Sequence, residues 1–126
     1  MSDQSIEEKR ILIVEDDPLL LNILAERFKK ENYIVKTLEN GVHAVDVVKA
    51  FLPNVLLLDL VLPEVDGFTI IKELKKDNAT KAVPIVVLSN LAQPTEIDSA
   101  RKLGAEKFFI KANTKIDEIF DYIRSR

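Results

Sequence analysis

Five short apolar runs alternate along the chain with segments that have the spacing of amphipathic helices. The runs occupy residues 10–15, 33–39, 54–60, 84–89 and 107–111, and the second is the most polar. Apolar runs separated by helices are typical of a parallel sheet that helices cover on both faces. Five such units are too few for an eightfold barrel. We therefore predict an α/β fold with a doubly wound sheet of five parallel strands, the second at an edge.

Capping residues mark the starts of several helices between these runs. An acid before a proline, Asp17-Pro18, predicts the start of the first helix. Thr114 with Asp117 resembles a capping box and predicts the start of the last helix. The apolar residues expected on one side of the second helix are Val42, Val45, Val48 and Leu52.

The composition is that of a globular protein with a single domain. The chain has 126 residues, of which 47% are hydrophobic, and no cysteine, which excludes disulfides and thiolate chemistry. A net charge of −3 gives no electrostatic reason to expect direct binding of nucleic acid. The apolar runs are far shorter than the roughly 20 residues that span a membrane. We expect a cytoplasmic protein in which residues 1–8 form a flexible arm and residues 9–126 form the domain.

Polar residues that could take part in chemistry lie at the ends of four of the five predicted strands. They are Glu15, Asp16 and Asp17 at the end of the first strand, Asp59 at the end of the third, Ser89 at the end of the fourth and Lys111 at the end of the fifth. In open α/β sheets, ligands bind at the carboxyl ends of the strands, where the strand order reverses. We therefore expect carboxylates, one hydroxyl and one ammonium to converge at one rim of the sheet.

Each of these residues alone has a simpler structural explanation. Asp17 can be only the cap of the helix that Pro18 begins, and Lys111 can be one of many surface lysines. Asp59 is harder to explain, because it interrupts an apolar run in which an unpaired carboxylate is costly or shifts its pKa. The recurrence of suitable groups at four strand ends favours a joint function.

Together, these groups suit phosphoryl transfer. Clustered carboxylates repel one another, and a set of oxygen ligands with this charge favours Mg²⁺. The Lys111 ammonium supplies a positive charge for a phosphoryl group, and the Ser89 hydroxyl can donate a hydrogen bond to one of its oxygens. An aspartate such as Asp59 can act as a nucleophile and form an aspartyl-phosphate.

The segments ILIVEDDP, LLLDLVLPEVDGF, PIVVLSN and LGAEKFFIK, in this order, resemble the receiver domains of two-component response regulators. The resemblance covers nearly the whole chain, from about Lys9 to the C-terminus. It implies a flavodoxin-like (βα)5 fold with strand order 2-1-3-4-5. It further implies that residues 9–126 are a receiver domain and that phosphorylation of Asp59 switches it.

The resemblance also implies a metal site beside the phosphoacceptor. Asp17 and Asp59 would bind Mg²⁺ directly, and Asp16 would act nearby or through water. The backbone carbonyl of Val61 would be a further ligand. With this metal and Lys111, the domain would catalyse its own phosphorylation and a slow dephosphorylation, and it would not be an enzyme in the usual sense.

The resemblance extends to the switch and its partners. Ser89 would follow the phosphoryl group inward, and Phe108 falls at the family's aromatic switch position. Their movement would change the face formed by helix 4, strand 5 and helix 5 for a downstream protein target. The phosphodonor would be a histidine kinase, a histidine phosphotransfer protein or a small donor such as acetyl phosphate. Homodimers through the same face are common in the family, and a homodimer is an open alternative here.

Four positions depart from the family's usual pattern. Ala112 replaces the proline that usually follows the lysine, often with a cis bond, so we expect the loop there to differ. Asn90 stands where a small residue is usual, and it either narrows access to the phosphoacceptor or adds a polar contact. Val61 and Leu91 flank the site with apolar side chains that cannot orient an attacking water. We therefore predict slow self-dephosphorylation.

Two other functions remain open. A Mg²⁺-dependent phosphatase with an aspartyl nucleophile usually has a second acid two residues after the nucleophile, where this chain has Val61. A constitutive protein-binding module of the same fold would not depend on phosphorylation. The complete set of acids with Ser89 and Lys111 argues against such a module, whereas Asn90 and Ala112 keep it open.

Overall fold

The computed structural model describes residues 8–126 and contains five βα units in sequence. The elements are β1 (Arg10–Val14), α1 (Pro18–Lys30), β2 (Ile34–Leu38), α2 (Ala44–Phe51), β3 (Val55–Leu58), α3 (Gly67–Lys76), β4 (Ile85–Ser89), α4 (Pro94–Leu103), β5 (Lys107–Ile110) and α5 (Ile116–Ser125). A short 3-10 turn, Lys111–Asn113, follows β5. Residues 1–7 of the predicted N-terminal arm lie outside the described residues, so the arm stays a prediction.

The five strands form one parallel sheet in the order β2-β1-β3-β4-β5. This order confirms the predicted doubly wound fold. The chain leaves β1 for β2 on one side and returns to β3 on the other, so the order reverses between β1 and β3. A crevice opens at such a reversal, beyond the carboxyl ends of the two strands.

Alternate residues of the central strands enter two separate apolar layers. Leu12 and Val14 of β1 pack in the layer under α2, α3 and α4, whereas Ile11 and Ile13 pack in the layer under α1 and α5. All four are essentially inaccessible to solvent. Because successive side chains point to opposite faces, a strand buried on both sides has a continuous apolar sequence. Each such side chain contributes about 1.5–3 kcal/mol by its burial.

The second helix, α2, is shorter than the segment from Val42 to Leu52 that was predicted to form its apolar side. Val42 lies before α2 and is 44% exposed, and Leu52 follows its end with a φ of 47° and 47% exposure. The expectation that both share a helix side with Val48 is therefore wrong. A turn at the start accounts for the first difference, because Asn40 Oδ1 accepts a hydrogen bond from the Val42 N–H at 3.0 Å.

The last helix begins one residue later than the predicted capping box. The Glu118 carboxylate accepts a hydrogen bond from the Lys115 N–H at 3.0 Å, so Lys115 takes the cap position that was expected for Thr114. The Thr114 hydroxyl instead donates to the Ile110 carbonyl at 2.7 Å. Within residues 8–126, no helix combines the length and the apolar character needed to cross a membrane.

Candidate functional site

An open cleft of about 260 Å³ lies at the carboxyl ends of β1, β3, β4 and β5. Its lining residues are Asp16, Asp59, Val61, Ser89, Asn90, Leu91 and Lys111. The four loops that provide them are separated in sequence, and the parallel sheet brings them to one rim. The structure thus confirms that the predicted strand-end groups converge, with the exception of Asp17.

Asp59 directly follows β3 and lies at the bottom of the cleft with 4% of its surface exposed. Its Oδ2 accepts a hydrogen bond from the Lys111 ammonium at 2.7 Å, and its Oδ1 accepts one from the Val61 N–H at 3.1 Å. Its own N–H donates to the Val14 carbonyl of β1 at 3.0 Å. Both oxygens are therefore held in place, and the backbone is anchored to the central strand.

Gly67, at the start of α3, packs directly against the backbone beside Asp59. A Cβ atom at position 67 would lie 2.5 Å from the Asp59 carbonyl oxygen and 2.6 Å from the Leu60 Cα. The Gly67 N–H donates to the Leu60 carbonyl at 2.9 Å. A single sequence carries no signal of such a close approach.

The acidic cluster differs from the predicted one in one member. Carboxylate oxygens of Glu15, Asp16 and Asp59 lie within 4.8 Å of one another. Glu15, only 2% exposed, takes the place that was expected for Asp17. The Asp17 carboxylate caps α1, because its Oδ1 accepts hydrogen bonds from the N–H groups of Leu19 at 3.0 Å and Leu20 at 3.5 Å. The Asp17 N–H in turn donates to Glu15 Oε2 at 3.0 Å.

Lys111 links the two buried carboxylates of this cluster. Its ammonium lies 2.7 Å from Asp59 Oδ2 and 2.8 Å from Glu15 Oε1. Burial lowers the pKa of Lys111, but its hydrogen bonds to the two acids outweigh that effect and leave the pKa above its ordinary value. Burial raises the pKa of Glu15, and the hydrogen bond from Lys111 opposes this shift. Two buried carboxylates thus contact one ammonium that stays charged.

Ser89 lies on β4, the strand next to β3, and Phe108 lies one strand further out, on the edge strand β5. Ser89 ends β4 and is fully buried, and its Oγ accepts a hydrogen bond from the Leu91 N–H at 3.1 Å. Phe108 on β5 pairs in register with Val87 and is half-buried against the apolar layer under α2, α3 and α4. Ser89 is therefore bonded to the loop before α4, and Phe108 packs against the apolar layer that α4 helps to cover.

The loop after Lys111 is a 3-10 turn, and residues 8–126 contain no cis peptide bond. The N–H of Ala112 donates to Asn90 Oδ1 at 2.9 Å. Proline, which usually follows this lysine in the family that the sequence resembles, has no N–H and could not make this bond. The peptide bond between Lys111 and Ala112 is therefore trans, and the Asn90 side chain makes a polar contact across the cleft.

Comparisons with known proteins agree with this geometry. The family model of the response regulator receiver domain matches residues 11–124. Protein PilH of Pseudomonas aeruginosa is 32% identical over 81% of this chain and 84% of its own length. The BeF3-activated receiver domain of Klebsiella pneumoniae RstA superposes with a TM-score of 0.84 at 27% identity, covering 93% of this chain and 97% of that one. The DNA-binding regulator RpaA of Synechocystis is 30% identical over 81% of this chain, which spans only 42% of that protein.

The chain belongs to the family of response regulator receiver domains, because the family model matches nearly its whole length. Receiver domains are signalling switches that phosphorylation activates, and this chain shares that function with its relatives. The acidic cluster of Glu15, Asp16 and Asp59 is consistent with a phosphoacceptor site and can hold a metal ion.

Proposed function

We propose that Asp59 is the phosphoacceptor of this receiver domain and that Lys111 assists the transfer. One observation carries the proposal. Asp59 is a buried carboxylate whose Oδ2 lies 2.7 Å from the Lys111 ammonium, at the bottom of a cleft open to solvent. A buried carboxylate beside a positive charge, open to an incoming group, has the arrangement that a phosphoryl acceptor needs.

In the proposed reaction, a carboxylate oxygen of Asp59 attacks the phosphorus atom of a phosphohistidine on a partner protein. The new bond joins oxygen to phosphorus, the bond from the histidine nitrogen to phosphorus breaks, and the imidazole then takes a proton from solvent. The Lys111 ammonium lies where it can offset the charge on the transferring group. The chain acts on itself, so we propose no enzymatic activity on other substrates.

The residues at the cleft fit a divalent cation such as Mg²⁺. The three carboxylates have oxygens within 4.8 Å of one another, and one ammonium contacts two of them, which leaves an excess of two negative charges when all are ionised. Oxygen ligands of this kind suit Mg²⁺, which would neutralise charge on the phosphoryl oxygens when bound. Asp16 and Asp59 would hold the ion, with Glu15 nearby and the Val61 backbone carbonyl as a further ligand. Asp17 is not included, because its carboxylate caps α1.

The proposed response begins at Ser89. Its hydroxyl now accepts a hydrogen bond from Leu91 and would turn towards a phosphoryl oxygen once Asp59 is modified. The loop between β4 and α4 would then shift, and Phe108 would repack against the altered loop. This change alters the face formed by α4, β5 and α5.

The proposed partners follow from this cycle. A histidine kinase or a histidine phosphotransfer protein would supply the phosphoryl group, and a downstream protein would bind the altered face. A homodimer through the same face is a further outcome that sizing of the phosphorylated protein tests. We propose a cytoplasmic location, where such donors act, and we propose no direct contact with nucleic acid by this domain.

The test is the intact mass of the protein after incubation with acetyl phosphate and Mg²⁺. We expect a gain of about 80 Da, the mass of one phosphoryl group. The gain should disappear in Asp59→Ala and on removal of Mg²⁺ with a chelator. Asp46→Asn, which changes an exposed acid on α2, is the matched control and should gain the same mass as the wild type.

A second donor separates the two main alternatives. If neither acetyl phosphate nor a phosphorylated histidine phosphotransfer protein modifies the chain, the phosphoacceptor proposal is wrong and a constitutive binding module takes its place. If Asp59→Ala still gains mass, the proposed site is wrong.

A further inference from the structure

The pairing of β4 with β5 ends beside the cleft. Its last residue pair is Ser89 opposite Ile110, and β5 lies at the edge of the sheet. Lys111 is the next residue, and its ammonium contacts Asp59. The lysine that serves the phosphoacceptor therefore projects from backbone that lies just beyond the end of the strand ladder.

Asn90 continues this pairing with its side chain. It directly follows Ser89, and its Oδ1 accepts the hydrogen bond from the Ala112 N–H at 2.9 Å. Because a backbone N–H can only donate, the amide oxygen must face Ala112, which fixes the orientation of the Asn90 side chain. The bond joins the loop after β4 to the turn Lys111–Asn113 on the other side.

Two further hydrogen bonds hold carbonyl groups at the start of this turn. The Thr114 hydroxyl donates to the Ile110 carbonyl at 2.7 Å, and the Thr114 N–H donates to the Lys111 carbonyl at a long 3.4 Å. Both donors belong to Thr114, the residue that directly follows the turn. Asn90 is the contact that ties the N–H side of the turn to the neighbouring strand. The backbone of Lys111 is thereby held from both sides.

We propose that Asn90 is a positioning residue for phosphoryl transfer. By binding the Ala112 N–H, it keeps the Lys111 backbone in place and the ammonium within contact of Asp59. This inference rests on the proposed function of Asp59 and Lys111. The same bond accounts for two departures from the family's usual pattern, Asn90 and Ala112. An acceptor at position 90 is useful only when residue 112 has an N–H to donate.

The test is a double-mutant cycle with wild type, Asn90→Ala, Ala112→Pro and the double variant. The rate of phosphorylation by acetyl phosphate at saturating Mg²⁺ is followed by intact mass. Loss of one hydrogen bond predicts that Asn90→Ala slows the reaction about two- to tenfold. In the Ala112→Pro background, where the N–H is absent, the same substitution should have no effect.

A second readout follows the bond itself through hydrogen exchange of the Ala112 amide. Asn90→Ala should speed this exchange, whereas Asn90→Asp keeps an acceptor oxygen and should preserve slow exchange. Asn90 is exposed, so the alanine variant should unfold within a few degrees of the wild type, and that measurement separates positioning from general loss of structure.

The outcomes distinguish this inference from the proposed function. If the wild type is phosphorylated but the two substitutions act additively, Asn90 does not position Lys111 through Ala112, and only this inference is overturned. Unchanged exchange of the Ala112 amide in Asn90→Ala overturns it as well. If the wild type accepts no phosphoryl group from either donor, the function proposed for Asp59 falls, and the positioning role falls with it.

Discussion

The Lys111 ammonium lies 2.7 Å from Asp59 Oδ2, although 52 positions separate the two residues in the chain. The same ammonium lies 2.8 Å from Glu15 Oε1, so one positive charge lies between two buried carboxylates. This arrangement offsets their mutual repulsion before any phosphoryl group arrives. It also places the ammonium where a phosphoryl group on Asp59 would need a counter-charge.

Replacement of this lysine should affect both chemistry and stability. Lys111→Met removes a charge aimed at the transferring group, and we expect phosphorylation by acetyl phosphate to slow on the order of 100-fold. Because two buried carboxylates lose their partner, the free energy of unfolding should fall by about 1–3 kcal/mol. Rates by intact mass and urea titrations check both effects. Lys115→Met, at an exposed lysine outside the cleft, is the control, and an equal rate in Lys111→Met would contradict the proposed role.

The two neighbouring acids should differ in their effect on metal binding. Mg²⁺ binds the folded state and should raise the unfolding temperature of the wild type. Asp16→Asn should abolish most of this rise, because it removes a carboxylate from the cluster. Asp17→Asn is the matched control, since asparagine also caps helices well and should preserve both α1 and the Mg²⁺ effect. Calorimetry with and without Mg²⁺ measures the unfolding temperatures. If Asp17→Asn lost the Mg²⁺ effect and Asp16→Asn kept it, Asp17 would be the metal ligand after all.

The glycine beside the phosphoacceptor should not tolerate a side chain. In Gly67→Ala the new Cβ would meet backbone atoms of Asp59 and Leu60, which cannot rotate away. We expect the free energy of unfolding to fall by about 1–3 kcal/mol, as for other overpacked sites. Lys72→Ala, on an exposed position of the same helix, should change it by less than about 0.5 kcal/mol. Similar values for the two variants in urea titrations would argue against the close approach.

The apolar flank of the cleft should make the phosphoryl group long-lived. Val61, with 55% of its surface exposed, lines the cleft but cannot orient water. Val61→Asn supplies an amide that can, and we expect dephosphorylation to accelerate roughly tenfold. Val42→Asn changes another exposed valine away from the cleft and should leave the rate unchanged. Loss of the added mass over time gives both rates, and a wild-type lifetime of seconds would refute slow dephosphorylation.

A contact between Glu106, the residue before β5, and Arg126 should make stability depend on pH. Glu106 accepts hydrogen bonds from Arg126 at 2.6 Å and from the Tyr122 hydroxyl at 2.7 Å. The bond from Arg126 above all lowers the pKa of Glu106 below its ordinary value of 4.5, against the opposing effect of burial. An acid with a lowered pKa stabilises the folded state at neutral pH, and this contribution is lost as the pH falls through the lowered value.

The variant Glu106→Gln checks this dependence. At pH 7 it should lower the free energy of unfolding by at most about 1 kcal/mol, because the ion pair is partly exposed. The difference from the wild type should shrink as the pH falls below the ordinary value of 4.5. Urea titrations between pH 7 and pH 3 measure it, and a difference that stays constant over this range would rule out the Glu106 carboxylate as its source.

The acidic cluster shows where sequence reasoning reached its limit. Three consecutive acids follow β1, and the sequence alone does not tell which of them face Asp59. The direction in which the chain leaves the strand decides this, and it places Glu15 in the site and Asp17 on the helix. The sequence did indicate that Asp17 caps the helix, because an acid directly before a proline is typical of a helix start.

Contacts between residues far apart in the chain could not be predicted from the sequence either. The bond between Asn90 and Ala112 joins residues 22 positions apart. The approach of Gly67 to Asp59 depends on how α3 packs on the loop after β3. No local pattern encodes either contact, because each depends on the relative placement of two elements.

The amino-acid sequence by itself determined the class of fold and the set of candidate groups. Its apolar runs and cap residues specify strands buried on both faces with helices between them, and these patterns are local. The tertiary structure alone decided which atoms meet, such as Lys111 with both Glu15 and Asp59. The physical reason is that a contact of a few ångströms depends on the packing of all the strands and helices that carry the two side chains, and that packing is a property of the whole domain.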